Sequence, residues 1–193
     1  AFKGDEGLTE GEKAKAWAVL RMFEQGTYFC VVRHRWVDNF SFLKQVFPFP
    51  GMPDFVKGLI MGKIRGEMIK TLNNQGCGDR TEEEFRADAL RDAKAFEAML
   101  DDKGFFFSSS SSSSSSITSF EAMMYANVLQ FASFDVECSE NPFPKKPWAV
   151  AAFARDSKRI QRFVQRVQGA AFPDYDELLE RLDGKTEKWE PSQ

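Results

Sequence analysis

A single histidine, three scattered cysteines and no long apolar run set the first bounds on this chain. With His34 as the one imidazole, no multi-histidine metal centre can form. Cys30, Cys77 and Cys138 lie far apart, with no CxxC pair and no zinc-type spacing. An odd, sparse set of this kind fits reduced thiols and an intracellular setting, cytoplasmic or organellar. No stretch of about 18 apolar residues occurs, so no membrane-spanning helix is expected. The chain also lacks an excess of positive charge: its net charge is −3, which argues against a nucleic-acid partner. Lys57, Lys63, Arg65 and Lys70 do cluster, but they alternate with apolar positions as the solvated face of a helix does. The sequence starts at Ala1 with neither an initiator Met nor a signal-like segment. A processed organellar N-terminus and a fragment start both remain open.

What is present is apolar periodicity. The 193 residues are enough for one large domain, and the 42 % apolar share can bury a core. Thr9 followed by Glu12 is a capping box, in which hydroxyl and carboxylate each satisfy an orphan backbone N–H. Ala16, Leu20, Phe23, Thr27, Val31 and His34 then recur at helical steps, predicting one long helix to about Asp38. Residues 39–53 carry Pro48, Pro50, Gly51 and Pro53 and read as an irregular, aromatic-rich connection. Asp54 is placed to cap a helix over about 55–74, with Phe55, Leu59, Met68 and Leu72 inward. Thr81 and Glu84 form a second capping box, opening a helix to about Leu100 with Phe85, Ala89, Phe96 and Leu100 inward.

Nine serines, Ser108–Ser116, separate Phe105–Phe107 from a third capping box at Thr118 and Glu121. Ile117 and Ala122 stand where a hydrophobic staple would sit. The helix that follows, to about Phe134, is apolar nearly all round, as helices at the centre of a domain are. Pro147 opens a further helix to about Val167, with Trp148, Ala151, Ile160, Phe163 and Val167 inward. A short helix over about 174–182 leads into a charged tail, residues 184–193. The expectation is an all-α fold of about six helices in a single domain over 1–193, with its core at about 8–167. Cutting at the serines would leave two halves, each with an uncovered apolar face, so Ser108–Ser116 reads as a loop insertion. Loop-closure cost grows only as the logarithm of length, so such an insertion is tolerable. By composition the tract reads as disordered, as a phosphoacceptor cluster, a spacer or a neutral expansion, and a partner protein contacting it is one further reading.

Three stretches resemble the C-terminal helical domain of the glutathione S-transferase superfamily, and its failed-axon-connections and metaxin branch in particular. They are "LTEGEKAKAWAVLRMFEQGTYFCVVRHRWVDN" at Leu8–Asn39, "GCGDRTEEEFRADALRDAKAFEAMLDDKGFFF" at Gly76–Phe107 and "ITSFEAMMYA" at Ile117–Ala126. They fall in the family's order, and the likeness extends over roughly Leu8–Val167. The resemblance implies a helical bundle whose thioredoxin-like partner domain is absent from this chain. That missing domain would supply the residue that activates glutathione, so the resemblance gives this chain no catalytic residue. Glutathione enters as a cofactor only if such a domain precedes Ala1. What the resemblance does supply is one wall of a second-substrate pocket, with Tyr28, His34 and Arg35 as its candidates. The departure is the serine tract, which stands where relatives have a tight turn.

Two functional classes follow. One is a non-catalytic interaction or structural subunit of a larger assembly; the other is the helical half of an active glutathione transferase. A weaker third reading is attachment to a membrane surface, with no encoded anchor. His34 reads either as a general base or as a hydrogen-bonded core histidine. Cys77, between two glycines, reads as an exposed thiol or an incidental turn residue. Asp88 and Asp92 share a helix face near Arg86 and Arg91, fitting an acid–base or cation pair, or a salt-bridged solvated face. Phe105–Phe107 and the central helix read as cavity lining or as core packing. Three outcomes therefore rest on the folded arrangement: how His34 is used, whether Tyr28, His34 and Arg35 share one pocket, and whether the sides of the serine tract meet.

Overall fold

A computed structural model describes residues 5–47, 49, 51–107, 117–132 and 148–174. Among these residues every regular element is helical and none is a strand, so the protein is all-α. Helix α1 runs without a break from residue 10 to 38, in four stretches. Glu10–Met22 is α-helical, Phe23–Thr27 is π-helical, Tyr28–Arg33 is α-helical and His34–Asp38 is again π-helical. The predicted buried stripe holds along its whole length: Ala16, Leu20, Phe23, Thr27, Val31 and His34 are all buried. Helix α2 spans Phe40–Val46, α3 Asp54–Asn74, α4 Glu82–Met99, α5 Ser119–Ala132, α6 Ala149–Asp156 and α7 Lys158–Ala171. Among the described residues no helix is long and apolar enough to cross a membrane.

Three differences from expectation have local causes. Residues 40–46 form a helix because Phe42 and Leu43 bury against the rest of the fold, so the irregular stretch shrinks to the proline-rich end. Pro53, not Asp54, occupies the N-cap of α3, and Asp54 sits in the first turn, where its charge meets the helix dipole favourably. Phe55 and Leu59 point outward at 72 % and 71 % exposure, and α3 contacts the core through Met61 and Leu72. The helix expected over 147–167 is interrupted at Ser157, which adopts an extended conformation and accepts the Ile160 N–H through its hydroxyl. That N-cap starts α7 in a new direction while Trp148, Ala151, Ile160, Phe163 and Val167 all remain buried. The serine tract, the segment 133–147 with Cys138 and Pro147, the short helix expected over about 174–182 apart from Asp174, and the tail at 184–193 lie outside the described residues.

All three predicted capping boxes form. Thr9 with Glu12 and Thr81 with Glu84 cap α1 and α4 at exposed positions. The box at α5 is different, because Thr118 and Glu121 are both buried. The Glu121 backbone N–H donates to Thr118 Oγ1 at 3.0 Å, and the Thr118 N–H donates to Glu121 Oε2 at 3.1 Å. The other carboxylate oxygen accepts from Arg166 of α7 at 2.5 Å, and the Ser119 N–H donates to Asp5. The Arg166 guanidinium in turn lies over the Phe105 ring at 4.3 Å. Helix α5 packs against α1, α6 and α7, so this cap anchors the start of the most enclosed helix.

The core is aromatic and continuous. Phe96 of α4 meets Phe23 of α1 at 5.3 Å, Phe163 of α7 at 5.2 Å and Phe106 at 6.1 Å between ring centroids. Phe107, just before the serines, reaches Phe120, just after them, at 6.4 Å. Residues on both sides of the tract therefore share one hydrophobic cluster. Gly104 makes this approach possible: its φ is +81°, and an added Cβ would lie 2.5 Å from Phe163 N and 2.7 Å from Arg162 C.

Two stability predictions follow. Thr118→Ala should destabilise by about 1–2 kcal/mol, more than Thr9→Ala, because a buried carboxylate loses its donor; urea midpoints of the two variants measure the difference, and equal losses would contradict it. Gly104→Ala combines a left-handed backbone with contact against another helix's main chain, and should cost more than about 2 kcal/mol by the same assay.

Candidate functional site

Helix α1 turns two kinds of residue in opposite directions. A π-turn holds one residue more than an α-turn, so each π stretch rotates the residues beyond it around the helix. Between and within the two π stretches of α1, Cys30 and His34 face the core, while Tyr28 and Arg35 face outward into a cleft. The cleft has a volume of about 390 Å³. Thr27, Tyr28, Val31, Val32, Arg35 and Trp36 of α1 form one wall, Met68 of α3 the floor's edge, and Asn127 and Gln130 of α5 the opposite wall.

Arg35 closes the cleft from α1 to α5. Its Nη1 donates to Gln130 Oε1 at 2.7 Å and its Nη2 donates to the Gln130 carbonyl. Burial pulls the guanidinium's pKa below its ordinary value, yet arginine keeps its charge at neutral pH. The site therefore holds a fixed, partly desolvated cation beside apolar and amide groups. Tyr28, half exposed, stacks edge-on against Phe29 at 5.2 Å and offers its phenol at the rim. Asn127 Nδ2 donates to the Met123 carbonyl one turn back, which leaves its side-chain oxygen as an acceptor.

His34 does not line this cleft. It is 3 % exposed and stacks on Trp148 with ring centroids 4.5 Å apart and planes 20° from parallel. Asn39 Nδ2 lies 3.2 Å from one ring nitrogen and donates to the His34 carbonyl at 3.0 Å, pinning the end of α1. Of the three predicted pocket residues, then, Tyr28 and Arg35 share the cleft and His34 belongs to the core. Cys30 is also enclosed, and burial together with Asp92 and Asp88 pushes its thiol up to about 12, far from a reactive thiolate. Cys77 is half-buried in the turn after α3, its Sγ 3.7 Å from the Gln75 carbonyl.

Asp88 and Asp92 part company. Asp88 accepts from Arg80 and, at 2.7 Å, from Arg91 on the solvated face of α4. Asp92 turns inward and accepts from Thr27 Oγ1 at 2.7 Å, against the first π stretch. Gly26 leaves room for this carboxylate, since an added Cβ would sit 2.9 Å from Asp92 Oδ2 and make it shift. Phe105 and Phe106 hold cations, Arg166 and Lys15 at 4.3 and 4.4 Å, and Phe107 packs in the core. Among the described residues no group of three or more His, Cys, Asp and Glu is placed to hold a metal ion. Val32, Trp36, Asn127 and Gln130 are the lining residues that periodicity leaves unmarked; Gln130 meets Arg35 only through tertiary packing.

The chain was compared with known protein families, curated proteins and solved structures, and none of the three comparisons yields a match.

Burial raises the Asp92 pKa above the usual carboxylate range, Asp88 adds to this, and the Thr27 hydrogen bond opposes it. A carboxyl that binds its proton more tightly in the fold stabilises at low pH, and this contribution is lost as pH rises through the folded value. Asp92→Asn should therefore retain more of its stability than the wild type as pH is raised from about 4 to 7. Urea midpoints across that range read the effect, and parallel pH profiles would contradict it.

Proposed function

We propose that this chain is a glutathione-transferase C-terminal-like helical domain serving as a non-catalytic interaction or structural subunit of a larger assembly. One observation carries the reading: the open cleft has the chemistry of binding and little of catalysis. Among the described residues its lining contains a fixed cation, two amides, a threonine, two large aromatics and apolar side chains, and no His, Cys, Asp or Glu. The imidazole and the Cys30 thiol, which could transfer protons or attack a substrate, are turned into the core. Large aromatics beside an arginine, in a site partly closed to water, are what protein-binding hot spots are made of. The three resembling stretches, in the family's order, and the all-α fold support the family assignment.

A second reading is the helical half of an active glutathione transferase. The convergence of Tyr28 and Arg35 on one cleft favours it, since the resemblance implies a second-substrate wall at those positions. The two readings separate on the full-length gene product. The interaction reading expects no glutathione conjugation and no retention on glutathione resin, with stable co-purification of other proteins. Robust turnover would sink it. Once a partner is in hand, Tyr28→Ala should weaken binding by about tenfold, roughly 1.4 kcal/mol, with an unchanged melting temperature. An affinity unaffected by Tyr28→Ala and Arg35→Ala together would move the partner's site elsewhere.

A further inference from the structure

The surface carries an apolar recess larger than the Arg35 cleft, a groove between α5 and α7 of about 750 Å³. Its walls are Ala122, Tyr125, Ala126 and Leu129 of α5 and Val167 and Ala170 of α7, with Ile117 and Phe172 at its ends. Small residues dominate the middle, so another element can approach closely there. Phe172 is 43 % exposed at the rim, with its ring centroid 6.4 Å from that of Tyr125. The recess is concave and lined mostly by apolar side chains, the kind of groove into which the apolar face of a helix can be laid.

We propose that the groove is covered by this chain's own C-terminal segment, docking through Tyr175, Leu178, Leu179 and Leu182. Both the path of the chain and the residues it carries point there. Helix α7 ends at Ala171, beside the groove, and Pro173 and Asp174 form a turn immediately after Phe172. Proline just past a helix end prevents its continuation, so the chain must change direction at the rim. The next residues read "YDELLERL", with apolar side chains at positions 175, 178, 179 and 182. That spacing, i, i+3, i+4, i+7, puts all four on one face of a helix, with Asp176, Glu177, Glu180 and Arg181 away from it. Asp174 stands where an N-cap for that helix is needed. A helix of this length spans about 12 Å at 1.5 Å per residue, a reach matched to two turns of α5 from Ala122 to Leu129. A tethered segment also starts at high effective concentration over the groove, which an untethered partner would have to overcome.

The full chain carrying Leu178→Ser, Leu179→Ser and Leu182→Ser together tests this with the dye anilinonaphthalene sulfonate as the probe. Freed of its cover, the groove should give a several-fold rise in dye fluorescence over the wild type. A synthetic peptide of residues 175–193 should displace that dye from the variant and fail to bind the wild type. Adding Ala126→Arg, which fills the groove, should abolish the rise, whereas Glu177→Gln with Glu180→Gln on the outer face should leave the wild-type signal unchanged. Equal dye binding by wild type and triple variant overturns the proposal, as does a peptide that displaces nothing. A wild-type signal that falls as protein concentration increases assigns the groove to a second copy, which also overturns it. Should the triple variant unfold, the single Leu179→Ser exchange replaces it in the displacement assay: displacement of the dye supports the docked segment, and none overturns it.

Discussion

The carboxylate of Glu121 is the constraint on which the rest of the structure hangs. It is fully buried, and it satisfies the first turn of α5 on one side and Arg166 of α7 on the other. A buried charge is tolerable only when it is paired and hydrogen-bonded, and breaking such a pair costs several kcal/mol because the remaining charge is stranded. Arg166 passes the constraint on to Phe105 through its stacked guanidinium, and so to the turn at Gly104 that rests on α7. The two ends of the described chain that flank the serines are thus held by one ionic and aromatic cluster. From there the Phe107–Phe120 and Phe106–Phe96 contacts carry the constraint into the common core.

The cleft depends on the same arrangement. Tyr28 and Arg35 come from the first helix and Asn127 and Gln130 from the helix behind the serines. The site exists only because segments on both sides of the tract pack together. The two π stretches of α1 do the fine positioning: Thr27 is held by Asp92 at one, and Asn39 closes onto His34 at the other. Between them the helix presents a charged and aromatic face outward and keeps its imidazole and thiol inside. That division between faces is the physical content of a binding reading.

Much of this was legible in the sequence, and the failures are instructive. The stripe from Ala16 to His34 and the three capping boxes depend on residues a few positions apart, so local spacing specifies them. The buried stripe keeps α-helical spacing through both π stretches, so nothing in that spacing marks where they fall. At about 3.6 residues per turn Met61, Met68 and Leu72 share one side of α3 while Phe55 and Leu59 fall nearly opposite. The expected single inward stripe of Phe55, Leu59, Met68 and Leu72 therefore combined two faces of the helix. Period gives a helix its faces, but it does not say which face a tertiary neighbour covers. Ser157 interrupts a run whose apolar residues stay in phase, so the break hides behind a pattern that continues through it. Of the site, Tyr28 and Arg35 came from the resemblance, while Gln130 is 95 residues from Arg35 and no local rule links them.

The serine tract is where a single shared core is most open to test. Separate expression of residues 1–107 and 117–193, followed by mixing, tests it most directly. If one core spans the tract, neither fragment alone should show a cooperative thermal transition by circular dichroism, and an equimolar mixture should recover one. A cooperative transition in either fragment by itself would contradict the shared core, because the Glu121 cluster and the cleft both require residues from each side.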